Sequence, residues 1–374
     1  MNAQPKIGLE IHVQLDTRSR LFSACPRAVD TSAAPNAATD PVTLGLHGTL
    51  PTINERAVEL AVLFGTVLGG EINFRSEFDR KHYFYPDLPR NYQITQQSEP
   101  LVRGGCIPYE FGGEDRALEL MRCHLEEDAG RSVHRDGRTL VDFNRAGVGL
   151  LEIVTQPDLR EPDEAAAVLR SLRELVRWYG VNEGSLEDGQ IRCDANVSLT
   201  REGRDGARVE LKNLNSVRGV ARAIEAELRR QESMLAAGEE VTAETRGWNG
   251  EVGRSFAQRG KEGTVDYRFL PEPDLGPLLV EPDEILDPGE IPSATRARWR
   301  RAGMSAEAAR ILSDGRRRAE WCDTLLEAGA PAAELGRWAS GELLHRARDL
   351  GGDLPALPWS AVALADLLAD VESG

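Results

Sequence analysis

Near the start of the chain, a carboxylate and an imidazole stand two positions apart, Glu10 and His12. They lie in residues 7–15, where apolar and polar side chains alternate strictly. This pattern is typical of a β-strand with one buried face. At strand rise the two Cα atoms lie roughly 6.5–7 Å apart, so both side chains can reach one cation or phosphate. The alternative interpretation is a structural His–Glu pair that holds a sheet together.

The same alternation returns in four later segments, residues 120–128, 142–154, 190–199 and 209–215. The shared polar face carries Glu10, His12, Arg122, His124, Glu126, Asp128, Glu152, Arg192, Asp194, Asn196, Glu210 and Lys212. Carboxylates on one surface repel each other unless cations lie among them, and oxygen ligands with an imidazole suit Mg²⁺ or Mn²⁺. Because the basic groups suit phosphate oxygens, the face predicts phosphoryl transfer on an open sheet. A salt-bridged sheet surface is the alternative.

A second candidate segment, residues 78–96, mixes adjacent charges with aromatic rings and contains Lys81. Such a mixture suits contacts with phosphate and with a base or sugar, although a loop held by its own aromatics is the structural alternative. Only four of the 45 basic residues are lysine. Three of the four lie in dense motifs, Lys81, Lys212 and Lys261, which indicates positions that need a compact ammonium group.

Helices must pack against the apolar face of these strands. Helical spacing predicts a helix capped by Asn54, and two more over residues 163–179 and 217–235. Residues 281–292 are rich in proline and predict a linker, and the remainder is helical in composition. The predicted fold class is α+β with an antiparallel sheet, divided into a catalytic domain over residues 1–290 and a small all-α domain over residues 291–374.

Composition excludes several classes of protein. The chain has 374 residues, of which 41% are apolar and 28% charged, as in ordinary globular proteins. A net charge of −16 argues against broad binding to DNA or RNA through phosphate contacts. No apolar run is long enough for a membrane span, and the start has no signal-peptide pattern. Five scattered cysteines without C-x-x-C spacing predict a reducing cytoplasm and no structural zinc site. The chain has no P-loop, dinucleotide fingerprint or kinase motif set.

Taken in order, these motifs resemble the B subunit of the bacterial and organellar aspartyl/glutamyl-tRNA(Asn/Gln) amidotransferase family. The resemblance runs over about residues 5–285 in family order. The matching segments are residues 7–15, 48–54, 78–96, 124–130, 141–158, 192–198, 210–216, 244–248 and 266–275.

The resemblance implies a cradle domain with a glutamine synthetase/guanidino-kinase-like fold, followed by part of a helical domain. It also implies a carbon–nitrogen ligase. ATP phosphorylates the side-chain carboxylate of glutamate on glutamine tRNA, or of aspartate on asparagine tRNA, and ammonia from glutamine then gives the amide. The implied partners are a glutaminase A subunit, a small C subunit and the misacylated tRNA, with no DNA and no membrane.

Carried onto this chain, the resemblance implies Mg²⁺ ligands at His12, Glu126 and Glu152, with Glu10 as a fourth catalytic residue. It also implies contacts to ATP or the acyl phosphate from basic and acidic side chains of three motifs: Arg192, Asp194, Lys212 and Lys81. The motif leaves Glu126 and Glu127 open as the ligand, and the strand alternation favours Glu126.

Two departures from the family leave alternatives open. Many relatives carry four cysteines for zinc in the region of residues 23–45, where only Cys25 remains. Family members continue into a small tail domain that grips the tRNA, which this chain is expected to lack. A paralogue that activates another carboxylate is therefore the second hypothesis, and a non-catalytic tRNA-binding scaffold subunit is the third. The sequence does not distinguish glutamate from aspartate as the substrate.

Overall fold

A computed structural model of the chain describes residues 3–27, 33–201, 203–260, 267–285 and 287–373. Lys261 and Asp266, which belong to sequence motifs, lie outside the described residues.

The described residues form 18 strands. They are β1 (Gln4–Gln14), β2 (Glu71–Ile72), β3 (Arg75–Ser76), β4 (Asp79–His82), β5 (Tyr92–Thr95), β6 (Val102–Arg103), β7 (Cys106–Phe111), β8 (Glu114–Glu127), β9 (Arg131–Arg135), β10 (Arg138–Asp142), β11 (Gly149–Thr155), β12 (Ile191–Arg201), β13 (Arg204–Asp205), β14 (Val209–Leu214), β15 (Glu244–Asn249), β16 (Arg254–Gly260), β17 (Leu270–Pro271) and β18 (Leu278–Leu279).

The α-helices of the described part are α1 (Glu55–Val67), α2 (Pro162–Trp178), α3 (Val217–Ala236), α4 (Pro292–Arg301), α5 (Ala306–Leu312), α6 (Arg316–Glu327), α7 (Ala332–Trp338), α8 (Leu344–Asp349) and α9 (Ala361–Ser373). The predicted cap of α1 is confirmed, because the side chain of Asn54 accepts a hydrogen bond from the N–H of Ala57. Ser216 caps α3 in the same way through the N–H of Gly219. Both caps satisfy N–H groups that have no partner within the helix.

One large mixed sheet organises the first part of the fold, with the strand order β16-β15-β14-β12-β1-β11-β8-β6-β2. Its pairs are antiparallel except for β14 and β15, which run parallel. The sequence predicted an antiparallel sheet, and this prediction is wrong for the pair β14 and β15. The physical reason is the connection: α3 lies between these two strands in the chain, and a helical crossover returns the next strand in the same direction.

The apolar face of the central strand β1 is buried, as its alternation predicts. Ile7, Leu9, Ile11 and Val13 are at most 1% exposed. α3 packs against β12 and β14 on this face, which leaves the polar side chains of the same strands on the other face.

Two irregularities change the alternation that the sequence predicts. The pairing of β8 with β11 shifts between Arg122 and Leu120, so that Met121 has no partner. Met121 is consequently exposed, although the simple period predicts that it is buried with Cys123 and Leu125. On β14, Asn213 adopts a positive φ of 66° where the pairing with β12 shifts. A bulge of this kind redirects the neighbouring side chains.

The chain divides into two compact units. The first comprises Met1–Arg173 and Val181–Asp287, and the second comprises Glu174–Gly180 and Pro288–Gly374. The first contains the sheets and the second contains α4 to α9. The sequence did not predict that the end of α2 groups with the second unit. Among the described residues, no helix combines the length with the apolar character that a membrane crossing requires.

Candidate functional site

A row of polar side chains crosses four neighbouring strands on the face opposite the core. His12 on β1 faces Glu152 on β11 and Arg192 on β12. His124 on β8 faces Glu152 from the other side. Because neighbouring strands lie about 4.8 Å apart, side chains in one row can touch each other. The sheet register thus brings together residues that are far apart in the sequence.

The imidazole cluster consists of His12, His124, Glu126 and Glu152. Nε2 of His12 lies 3.4 Å from Oε1 of Glu126 and 3.8 Å from Oε2 of Glu152. Nε2 of His124 lies 3.3 Å from the same oxygen of Glu152. The hydroxyl of Thr95 on β5 donates a hydrogen bond of 3.3 Å to Oε2 of Glu126. Three of the four residues, His12, Glu126 and Glu152, each have one ligand atom within 4.8 Å of the others.

The ammonium cluster lies beside it and consists of Glu10, Asp194, Glu210 and Lys212. Nζ of Lys212 lies 2.6 Å from Asp194 and 2.9 Å from Glu210. The hydroxyl of Thr245 donates to Glu210 at 2.8 Å. The three carboxylates have ligand atoms within 4.8 Å of one another. One ammonium group therefore pairs with two of three neighbouring acids, and the cluster has more acidic than basic groups.

In the imidazole cluster, attraction between opposite charges outweighs the free-energy cost of burying the charged side chains. Burial disfavours the imidazolium form of His12, but Glu126 and Glu152 raise its pKa above the usual value. Burial likewise disfavours ionised Glu152, but His124, His12 and Lys81 hold its pKa well below the usual value. The cluster therefore keeps a buried carboxylate ionised beside two imidazoles.

In the ammonium cluster, unlike the imidazole cluster, attraction does not outweigh burial for every acid. Burial and the neighbouring acids Glu152 and Glu210 raise the pKa of Glu10, and Lys212 offsets this only in part. Although burial opposes both charges, Lys212 lowers the pKa of Glu210, while Asp194 and Glu210 raise the pKa of Lys212. Glu10 is thus the carboxylate of this cluster whose charge the lysine compensates least.

Glu126 and Glu127 point to different surroundings, as expected for consecutive strand residues. Glu126 lies in the imidazole cluster. Glu127 instead pairs with Arg90 and accepts a hydrogen bond of 2.9 Å from the N–H of Ile94. Both of its oxygens are used by these two groups, so its carboxylate serves the packing of β5 against β8.

Arg192 has an internal partner. Its guanidinium lies 2.9 Å from Asp128, which is also 3.4 Å from Arg145. Burial opposes the charge of Arg192, but Asp128 raises its pKa. An incoming phosphate would therefore compete with Asp128 for this arginine.

Lys81 approaches from a separate small sheet in which β4 lies between β5 and β17. In the described part of the chain no carboxylate lies within ion-pair distance of its ammonium group. The group lies 5.3 Å from the ring centre of Tyr267. Burial opposes its charge, but Glu126 and Glu152 raise its pKa. Lys81 is thus a cation held by the field of the imidazole cluster and not by a contact with one of its acids.

Three further residues contribute to the site, although the sequence alone did not predict them. Thr95 and Thr245 hold carboxylates in place, and Tyr267 flanks Lys81. Thr95 lies inside the motif of residues 78–96, so its position was a usable signal. Glu210 was placed on the polar face, but it was not selected as a site residue. Its alternation with Lys212 was the signal that could have identified it.

The donor set fits a hard divalent cation. Carboxylate oxygens with one imidazole nitrogen suit Mg²⁺ or Mn²⁺, and thiolates are absent from both described clusters. Nδ1 of His124 is buried and has no hydrogen-bond partner among the described residues. Hence hydrogen bonds among the described residues do not satisfy every polar atom of the imidazole cluster. The cluster also has the ligand types that an ion requires.

Comparisons with a family model and with curated proteins point to the same family. Residues 5–286 match the family described as the GatB/GatE catalytic domain. Among curated relatives, the B subunit of the aspartyl/glutamyl-tRNA(Asn/Gln) amidotransferase of Anaeromyxobacter dehalogenans is 45% identical, over 99% of this chain and 79% of its own length. The proteins of the same name from Geobacter sulfurreducens and Deinococcus radiodurans are 42% and 43% identical, over 100% and 90% of this chain and 80% and 73% of their own lengths.

Proposed function

Because this chain belongs to the GatB/GatE catalytic domain family, we propose that it is the carboxylate-activating subunit of a tRNA-dependent amidotransferase. Its substrates are glutamate on glutamine tRNA or aspartate on asparagine tRNA, and glutamine supplies the amide nitrogen. The observation that carries this proposal is the convergence of His12, Glu126 and Glu152 from three strands, inside the part of the chain that matches the family.

The chemistry has two steps. An oxygen of the substrate carboxylate attacks the γ-phosphorus of ATP, a phosphorus–oxygen bond forms, and ADP leaves with the electrons of the broken bond. Ammonia then attacks the acyl carbon, loses a proton and displaces inorganic phosphate. Negative charge accumulates on the phosphoryl oxygens in the first step, so a site for it must concentrate cations.

We propose that His12, Glu126 and Glu152 hold Mg²⁺, and that Glu10, Asp194 and Glu210 form a second acidic site beside it. The ion would neutralise the phosphate oxygens during transfer. His124 orients Glu152 from the far side, 3.3 Å from its oxygen. Thr95 fixes Glu126 by donating to its other oxygen.

The basic residues have different roles in the proposal. Among the described residues Lys81 has no direct carboxylate partner, so its ammonium group can contact the transferred phosphoryl group without first losing an ion pair. Arg192 and Lys212 are engaged by Asp128 and by Asp194 with Glu210. They can take phosphate oxygens only by exchanging these partners, and Asp194 acts through Lys212.

We propose the glutamine synthetase/guanidino-kinase-like cradle for residues 1–290 and part of a helical domain for residues 291–374. The proposed partners are a glutaminase A subunit and a small C subunit in a heterotrimer. A cytoplasmic location, expected from the cysteine pattern, also stays a prediction.

The decisive experiment measures ATP-dependent amide formation with each misacylated tRNA, the partner subunits and Mg²⁺, using mass spectrometry of the aminoacyl group. His12→Ala and Glu152→Gln are expected to abolish the product while the folded state persists. Arg229→Ala is the matched control, because Arg229 forms an exposed pair with Glu225 on α3. Normal product from either site variant would contradict the site. Activation of another carboxylate, with no amide on either tRNA, would favour the paralogue.

A further inference from the structure

A group of three charged residues lies next to the imidazole cluster, with Asp128 between Arg192 and Arg145. In the pairing of β1 with β12, Arg192 faces His12. Side chains at directly opposite positions of two antiparallel strands lie within contact range. The carboxylate of Asp128 lies 2.9 Å from the guanidinium of Arg192 and 3.4 Å from that of Arg145. One acid thus has two basic partners, and one of these partners also adjoins the imidazole cluster.

Asp128 is the buried and fixed member of this group. Its side chain is only 3% exposed. Its backbone N–H donates to the carbonyl of Val148 at 2.8 Å, and its own carbonyl accepts from the N–H of Gly147 at 2.8 Å. A buried carboxylate that loses every basic partner is strongly disfavoured, because neither water nor an opposite charge then compensates it. Asp128 therefore needs at least one arginine beside it at all times.

The two arginines are held in different ways. Nε of Arg145 donates to the carbonyl of Ala129 at 3.0 Å, and a terminal nitrogen donates to that of Gly130 at 2.7 Å. In the described part of the chain, Nε of Arg192 is buried without a hydrogen-bond partner, and Oδ2 of Asp128 accepts no well-aligned hydrogen bond. Arg145 is thus anchored to the backbone, whereas Arg192 is held at Asp128 by the attraction of opposite charges.

This difference suits a change of partner. The side chain of Arg192 is 33% exposed, so an anion can approach its guanidinium from solvent. If Arg192 turned to such an anion, Asp128 would keep the charge of Arg145, whose backbone anchors do not depend on Arg192. Without Arg145, the same movement would leave a buried carboxylate uncompensated. The second arginine therefore lowers the free-energy cost of the exchange.

We infer that Arg145 is a positioning residue that allows Arg192 to exchange Asp128 for a phosphate-type anion. The inference rests on the proposed function, in which Arg192 contacts a phosphate oxygen, and it adds how that contact becomes possible. Asp128 compensates Arg192 before the anion arrives, and Arg145 compensates Asp128 afterwards. Arg145 acts through Asp128 and does not itself touch the anion.

The test is a double-mutant cycle on the full chain, in which isothermal titration calorimetry measures the Kd of inorganic pyrophosphate in the presence of Mg²⁺. Arg145→Gln can still donate to the backbone carbonyls but lacks the charge, and it should raise the Kd roughly fivefold or more. Asp128→Asn removes the competing carboxylate and should lower the Kd. In the Asp128→Asn background the charge of Arg145 has nothing to compensate, so Arg145→Gln should change the Kd by less than about twofold.

Further variants separate this role from simpler ones. Arg145→Lys keeps the charge, so it should bind pyrophosphate much like the unchanged chain. Arg229→Ala is the matched control, because it removes an arginine from an exposed ion pair on α3. Urea unfolding measures the stability of every variant. If Asp128→Asn does not fold, Asp128→Ser takes its place in the cycle.

The inference fails if Arg145→Gln raises the Kd equally in both backgrounds, because Arg145 then contacts the anion or acts through its field alone. It also fails if Arg145→Gln leaves the Kd unchanged, or if Arg145→Lys and Arg145→Gln weaken binding equally, since Arg145 then only anchors the backbone. Amide formation tests the proposed function separately. Additive Kd values with normal product would overturn the inference alone, and coupled Kd values without product would overturn the proposed function alone.

Discussion

The imidazole cluster and the ammonium cluster lie on the same face of one sheet, but they hold their acids in different ways. In the first, two carboxylates share His12 and His124. In the second, three carboxylates lie close together, and the ammonium group of Lys212 pairs with two of them, Asp194 and Glu210. An imidazole becomes a neutral metal ligand when it loses a proton, whereas an ammonium group next to two acids stays charged.

The difference has a consequence for cation binding. A divalent ion entering the imidazole cluster gains a nitrogen ligand and two carboxylates. In the ammonium cluster it meets three oxygen ligands and a fixed positive charge. We therefore expect the imidazole cluster to dominate metal-dependent chemistry, and the ammonium cluster to respond mainly through stability and phosphate contacts.

Substitution of Glu126 is expected to have the largest effect on activity, unlike substitution of the neighbouring Glu127. Glu126→Gln removes a carboxylate that we propose as a metal ligand, so amide formation should fall by more than about a hundredfold, beyond the range for groups that only orient ligands. Mn²⁺ binding measured by electron paramagnetic resonance should weaken in parallel. A variant with normal turnover would show that Glu126 is not a ligand.

Glu127→Gln is the matched change one residue away, and it should act on stability instead. Glu127 is buried, and the side chain of its partner Arg90 is only 9% exposed. Loss of the carboxylate leaves the guanidinium without its counter-ion and should lower the free energy of unfolding by about 3 kcal/mol. Urea unfolding measures this loss. If Glu127→Gln abolished Mn²⁺ binding in a fully stable protein, the assignment of the two residues would have to be exchanged.

Lys212→Met tests the counter-charge of the ammonium cluster. The side chain is 37% exposed, so solvent screens its ion pairs, and the loss of stability in EDTA should be only about 1 kcal/mol. Three uncompensated carboxylates then remain. Mg²⁺ should therefore raise the Tm of this variant more than that of the unchanged chain. Equal shifts would mean that the lysine does not compete with cations at this cluster.

Lys6→Met gives the smallest expected effect and calibrates the others. Lys6 lies on β1, the strand that carries Glu10 of the ammonium cluster. Its ammonium group is 2.6 Å from Asp205. Both side chains are exposed enough for water to screen the pair, so the change should be about 0.5 kcal/mol or less, without any response to Mg²⁺. A larger, Mg²⁺-dependent change would indicate that charge on the whole strand, and not the cluster, controls the response.

The sequence was most informative where one strand pattern continues without interruption. The alternation of β1 and β12 predicted which side chains are buried, because the period of a strand is two wherever its pairing is regular. It also placed Glu126 and Glu127 on different sides. The pattern failed at Met121, because a shift in pairing between β8 and β11 reverses the alternation locally. Nothing in the composition of β8 marks that shift.

The residue types of the candidate site were therefore determined by the sequence, since acids and imidazoles at strand spacing must share a face. Which of them meet was decided only by the tertiary structure. The register of β8, β11 and β1 joins His12 to Glu126 and Glu152, and the small sheet brings Tyr267 to Lys81. Tertiary structure also decided that Arg80 and Arg90 pair with internal acids, whereas Lys81 contacts none in the described part of the chain. The physical reason is that charges choose partners by distance in space, and distances between strands depend on pairings that no local segment specifies.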